Sequence, residues 1–296
     1  MSNRYTAETL DLSRLPAFSI SDATYEAILA ERLTSLRERL AAHGVDYDVG
    51  HLEVDPLAIL EQEDAYRELL TRAAVNDAAR RVTLAYATGE ALDHIAATYY
   101  ADIGVRRLEG ESDERFRQRI ALAPEAKSPG TLGGYEYWAR SATLDVVDAL
   151  ALNHASGLVR PGQIAVVVAG APGANTAPIV EKVAAVVLDR DIKAASDDVR
   201  VLAAEPLAYD VAAKIYLKRG PDAALVQAEA IARLRAHAAD RRKVGEIVRE
   251  KGIVAALMAP AVEDVEVTTP AGDVDPGPAG IAELRNVSVA VEVLNG

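Results

Sequence analysis

The 296-residue chain contains no cysteine. Disulfide staples, thiolate zinc or iron–sulfur centres and a cysteine nucleophile are all excluded. Aromatic residues are few, with eleven Tyr, two Phe and one Trp, too few for an exposed ladder of rings that stacks bases or sugars. Positive charge is short as well. The 32 Lys+Arg stand against 45 Asp+Glu, a formal net charge of −13, which argues against a broad phosphate-binding surface and hence against nucleic acid as a partner. No hydrophobic run is long enough to read as a membrane span: the longest uncharged stretch, residues 161–180, is broken by Gly170, Pro172, Gly173, Asn175 and Pro178. It reads as a buried strand, a loop and a helix start. The first twenty residues carry Arg4, Glu8, Asp11 and Arg14 without an apolar stretch, so a cytoplasmic start is expected and the Asn286-Val-Ser288 sequon is idle.

Half of the residues are hydrophobic, ample for a core, and the length suggests about two domains at roughly 150 residues each. Periodicity divides the chain in two. From Asp22 to about Ala101 the pattern is helical. Tyr25, Ile28, Leu29, Leu33, Leu36 and Leu40 recur every three or four residues between charged ones, which predicts an amphipathic helix capped by Ser21 or Asp22 and closed by Gly44. Asp55-Pro56 opens a second helix, expected to run to Leu84. A third is expected over 92–100, and a short fourth after Ser112, with Phe116 and Ile120 on one face, stopping before Pro124. A last helix over 135–142 leads into the second half.

From Leu144 onward strands and helices alternate. Residues 145–152 and 163–168 read as strands, and the second, Gln163-Ile-Ala-Val-Val-Val168, has no polar face and should lie centrally in its sheet. A helix over 178–188 and a strand over 199–203 complete a β-β-α-β unit. A similar order returns with a half-buried strand over 211–218, a long helix after Asp222, a short extended piece at 244–248, a helix over 250–258 and a strand over 262–268. In the last strand Val287, Val289, Val291 and Val293 share one face. The fold class is therefore α+β: a helical N-terminal part, 1–143, followed by two small α/β sandwich modules, 144–206 and 207–296. The Pro- and Gly-rich loop 270–280 reads as a flexible excursion between the last two strands.

Signatures of catalysis are missing. The chain has no phosphate-cradling Gly-x-x-x-x-Gly-Lys-Ser/Thr, no Gly-x-Ser-x-Gly elbow and no His-Glu-x-x-His helix, and the glycine groups at 130–134 and 170–173 read as flexible turns. The densest set of polar ligands, His43, Asp46, Asp48, His51 and Glu53, could serve zinc or iron in a metal-dependent enzyme. Its spacing matches no local ligand pattern, and a solvated connector between two helices is the simpler reading. His94 and His154 are lone histidines with structural roles expected. Tyr135, Tyr137 and Trp138 share one helix, where packing is the expected role. No catalytic, cofactor-binding or metal-binding residue and no cofactor is assigned. Charge is uneven in the C-terminal part. Residues 214–251 hold ten Lys/Arg and five Asp/Glu, whereas residues 259–296 hold one Arg and seven Asp/Glu. Such complementary segments could join copies head to tail.

An ordered series of strings is more specific than any one motif. Tyr25-Glu-Ala-Ile-Leu29, Ala65-Tyr-Arg-Glu-Leu69, Leu84-Ala-Tyr-Ala-Thr-Gly89, Leu92-Asp-His-Ile-Ala-Ala97, Glu111-Ser-Asp-Glu-Arg-Phe-Arg-Gln-Arg-Ile120, Ser128-Pro-Gly-Thr131, Pro161-Gly-Gln-Ile-Ala-Val-Val-Val168 and Tyr209-Asp-Val-Ala-Ala213 follow one another. Together they resemble the baseplate assembly protein J family of contractile-tailed phages, over about residues 15–270. The resemblance implies a structural wedge protein of the tail baseplate, assembled in the host cytoplasm and carried in the virion. It implies pairing with copies of itself in a sixfold ring around the central hub, and contacts with neighbouring wedge proteins, including a tail protein I-like subunit and the sheath initiator. No enzyme activity, cofactor, nucleic acid, membrane or small-molecule substrate is implied. Tyr25, Leu29, Leu33, Leu36 and Leu40 are the interface candidates, as the stripe by which the N-terminal helices would bundle with a neighbour. A host scaffold with no viral role is the remaining alternative.

Overall fold

The computed structural model describes residues 15, 19–21, 24–47, 55–220 and 222–294. They form a mixed α/β protein in two compact units, Asp11–Ala101 and Asp102–Gly296.

The first unit is helical: α1 (Tyr25–Ala42), α2 (Pro56–Arg81) and α3 (Glu90–Tyr99). Thr24 caps α1 by accepting the Ala27 N–H, in place of the expected Ser21 or Asp22, and Asp22 lies outside the described residues. Asp55 caps α2 through the Leu57 and Ala58 N–H groups, with Pro56 at the first helical position as expected. The two helices pack together. Their shared core is thin, because α1 buries Ile28 and Leu33 while α2 buries only Ala58 and Ala65. Polar contacts supplement it. The Arg32 guanidinium reaches Glu61, Asp64 and Glu68 at 2.8, 3.0 and 3.2 Å, and the Asn76 side chain clips the Ile20–Ser21 backbone onto α2.

The second unit runs α4 (Asp113–Ala126), α5 (Leu132–Ala142), β1 (Asp148–Leu152), β2 (Gln163–Ala169), α6 (Ala177–Val187), β3 (Asp198–Ala203), β4 (Glu205–Leu217), α7 (Ala223–Arg241), α8 (Glu250–Leu257), β5 (Val262–Thr269) and β6 (Gly280–Val293). Helix α4 passes through Pro124 instead of stopping before it. Only the last turn follows the proline, so a single ladder bond is lost. Glycines 133 and 134 lie inside α5, not in a flexible turn. Thr131 caps the helix by accepting the Gly134 N–H, and an added Cβ at Gly134 would stand 2.9 Å from the Glu125 carbonyl oxygen, so a side chain has no room.

Each of the two sheets has three strands, ordered β1-β2-β3 and β5-β4-β6, and in each the central strand has one antiparallel and one parallel neighbour. Strand β2 is central, as its unbroken apolar run requires. Val166 and Val168 face a core with Tyr135, Ala139, Ile179 and Val183, whereas Ala165, Val167 and Ala169 face a second core with Leu150, Leu152, Val244 and Ile281. Because Val244 and Ile281 come from the second sheet's half, that core joins the two sheet modules. The second sheet packs one face on α7 and α8, burying Ile215, Leu217, Leu234, Ile253 and Leu257.

Loop 270–280 is pinned at its middle, which corrects the expectation of a flexible excursion. Val274 is buried and exchanges two backbone hydrogen bonds with Val248, and Asp273 holds Arg249 and the Glu250 N–H at the start of α8.

Candidate assembly interface

Of the five residues expected to form a docking stripe, Leu33 is buried at 9% exposure and Tyr25, Leu29, Leu36 and Leu40 are half-buried. The apolar surface of Leu33 is thus already removed from water.

The open apolar surface of this unit lies on α2. Leu57, Ile59, Leu60, Tyr66, Leu70 and Val75 are each about half exposed. Ile59, Tyr66 and Leu70 are seven and four residues apart, so they stand above one another on one side of the helix. The side toward α1 carries Ala58, Ala65, Glu61 and Glu68. Apolar residues therefore occupy two sides of α2, and α1 covers one of them. Large aliphatic and aromatic groups lined along a helix and left in water mark a surface for another chain. Sequence reading favoured α1 because its polar and apolar positions alternate cleanly. A helix that is apolar on two sides shows no single stripe.

In the second unit the uneven charge is largely consumed within the chain. Lys214 pairs with Glu292, Lys218 with Glu263, Arg242 with Glu283 and Arg249 with Asp273. Strand register brings the first two pairs together: Glu292 stands opposite Tyr216, two residues along from Lys214, and Leu217 stands opposite Val262, just before Lys218 and Glu263. The basic and acidic segments are neighbours in one sheet module, so the expectation that they meet between copies loses most of its charge.

A buried polar network holds α4, α5 and the two sheets in place. The Arg119 guanidinium, 2% exposed, donates from Nε and Nη2 to the two Glu111 oxygens, both at 2.7 Å, and also to the Arg106 carbonyl and Ser141 Oγ. Arg115 donates to four carbonyls, those of Arg140, Thr143, Leu144 and Val146, and so closes the C-terminus of α5. Glu136 accepts the Ala151 N–H at 3.0 Å, which occupies a donor on the outer side of β1. Arg140 reaches Asp148, whose other oxygen accepts the Val244 N–H at 2.7 Å. The Tyr135 hydroxyl donates to Asp197, and burial together with that bond pushes its pKa up to about 12. Sequence reading missed this network. Its signal is Arg115 and Arg119, four apart on one side of α4, with Glu111 just before the Ser112 cap.

The remaining candidates do not converge. His43, His94 and His154 are exposed. Asp48, His51 and Glu53 of the proposed metal cluster lie outside the described residues, and among the described residues no group of three or more metal-ligating side chains comes together. Tyr135 and Tyr137 are buried in the core, with Trp138 edge-on to Tyr137 at 5.0 Å. No described helix is long and apolar enough to cross a membrane.

The second unit is locked together by buried polar contacts, and α2 of the first presents exposed apolar residues. Comparison with known proteins gives the chain a family. Residues 53–109 match the baseplate J-like N-terminal domain and residues 209–290 the baseplate J-like protein C-terminal domain. The chain is also similar to Baseplate protein J of Escherichia phage P2, 33% identical over 285 residues, covering 90% of this chain and 92% of that protein. The chain belongs to the baseplate J-like family and is a structural protein of a phage tail baseplate.

Proposed function

We propose that the chain is the wedge component of the baseplate, pairing with copies of itself and joining wedges into a sixfold ring around the central hub. Its N-terminal helical unit bundles with neighbouring wedge subunits, including a tail protein I-like chain, and the second unit carries the ring and meets the sheath initiator. The protein has no catalytic role, and it joins the tail in the host cytoplasm before release in the virion. The observation that carries this reading is the open apolar side of α2, which falls inside the stretch that matches the J-like N-terminal domain. Burying it gains free energy in proportion to the apolar area covered, about 25 cal/mol per Å².

The test is a phage in which this chain carries Leu70→Asp. A carboxylate carried into the interface costs several kcal/mol, enough to break a typical contact. The expected result is tails without assembled baseplates, while the purified variant keeps its melting temperature. Normal baseplates on the variant phage would refute the reading.

A further inference from the structure

One sheet edge is left open. Asp198 donates its N–H to the Gly162 carbonyl and Ala204 donates to that of Val168, with the β2–β3 register unbroken between them. The even-numbered residues of β3 therefore turn their backbone groups to β2, and Val199, Val201 and Ala203 present N–H and C=O to the opposite edge. Among the described residues nothing takes those groups. The next odd-numbered residue, Glu205, donates to the Ala279 carbonyl at 3.0 Å, and from there β6 runs along the same edge beside β4. The open row is thus a slot in line with β6, closed at one end where β6 begins. Elsewhere side chains guard the outer strands: Glu136 takes the Ala151 N–H of β1, and Gln227 donates to the Val289 carbonyl of β6. Among the described residues β3 has no such guard. It also has no proline and no lysine, and its charged side chains, Asp198 and Arg200, stand 3.6 Å apart and exposed on one face of the sheet.

We infer that an extended segment of another tail protein adds to this edge as a fourth strand of the first sheet. The inference rests on the proposed reading of the chain as one component among several in the baseplate, and it gives the second unit a contact surface of its own. Only an extended backbone matches N–H and C=O groups that recur at every second residue, about 7 Å apart. Strand β6 shows the fit next door, where it supplies such a backbone to β4. Side chains set the pattern of the added segment. On one face Val199 is buried and Val201 half-buried in the core with Tyr135, Ile179 and Val183, so residues of the new strand on that face are apolar and prolong the core. On the other face they lie beside Asp198 and Arg200 and are polar. The occupant is therefore a segment of alternating apolar and polar residues, matched in length to the six residues of β3.

Hydrogen exchange tests this on the full-length chain, free and in purified phage tails. In the free chain the amides of Val199, Val201 and Ala203 should exchange fast, and those of Arg200, Leu202 and Ala204, turned to β2, should exchange slowly. In tails the three fast amides should slow by about a hundredfold. Val201→Pro deletes an N–H on the open edge, a change that an edge strand accommodates. The free variant should keep its slow amides and fail to enter tails, whereas Leu202→Pro cuts a bond to β2 and should unfold the sheet. Fast exchange at Val199, Val201 and Ala203 in tails would overturn the inference whether or not Val201→Pro folds, as would normal tails built with a folded Val201→Pro chain. A Leu202→Pro variant as stable as Val201→Pro would overturn the assignment of the edge. Protection already present in the free chain would also overturn it: rising with concentration, it assigns the edge to a second copy, and constant, to this chain itself. Baseplates lost with Leu70→Asp, while β3 stays unprotected in parent tails, would discard the added strand and leave the docking role of α2 in place.

Discussion

Replacing Arg119 by Met is the sharpest test of the buried network. The substitution keeps the length and much of the volume of the side chain, so it isolates the charge. In the folded protein the Glu111 side chain is fully shielded from solvent. Without Arg119 its carboxylate keeps the Leu108 N–H at 3.0 Å and a looser approach to Arg115 Nε at 3.6 Å. It loses two charge-assisted hydrogen bonds of 2.7 Å, each contributing about 1.5–3 kcal/mol. The Arg106 carbonyl and Ser141 Oγ lose a donor as well. Removing one member of a buried ion pair costs about 3–5 kcal/mol, mostly because the other charge stays buried without a partner. Arg119→Met should therefore lower the unfolding free energy of the second unit by about 3–5 kcal/mol. The single Trp, Trp138 in α5, reports this unit by fluorescence during urea unfolding. The double variant Glu111→Leu/Arg119→Met, which removes both members of the close pair and leaves Arg115 with its four carbonyl acceptors, should recover a large part of the loss. A cost of less than about 1 kcal/mol for Arg119→Met, or a double variant as unstable as the two singles combined, would refute this account.

Arg32→Ala removes the common partner of Glu61, Asp64 and Glu68 and leaves three carboxylates facing one another. A loss of about 1–2 kcal/mol is expected, given that exposed pairs contribute at most about 1 kcal/mol each; thermal melts should show the deficit shrinking at high salt. Gly280→Ala would place a Cβ 1.9 Å from the Pro276 carbonyl oxygen, and the forced backbone shift should cost about 3 kcal/mol in urea unfolding. His237 has a shielded Nε2 with no hydrogen-bond partner, lying against Gly252. Burial and then the nearby Arg241 hold its pKa below the ordinary 6.5. The folded state thus prefers neutral His237, and the stability this group contributes is present above the unfolded pKa of about 6.5 and lost as the pH falls below it. The parent chain should lose more stability between pH 7 and pH 5 than His237→Gln does; equal losses would show that the imidazole does not titrate in this way.

Local periodicity was a sound guide to the elements. The alternation of Val287, Val289 and Val291 against Ser288 and Ala290 is the alternation of β6, half-buried or buried on one side and exposed on the other. Cap residues at Asp55, Ser112 and Asp222 stand where helices begin. Such signals are legible because burial on one side of an element imposes its own period on the residues that enter the core.

The sequence by itself determined the mixed α/β class, the helical start, the central place of β2 and the ordered blocks that resemble the J family. Only the tertiary structure decided which apolar surfaces are left over. It showed Leu33 buried, α2 with apolar residues left exposed, and loop 270–280 held by Val274 and Asp273. It also showed that the basic and acidic segments satisfy each other inside one module, because the register of β4, β5 and β6 brings residues far apart in sequence within a few ångströms. The physical reason is range. A side chain's tendency to be buried acts over one or two turns, whereas its partner is chosen by strand register and helix packing, to which distant parts of the chain contribute equally.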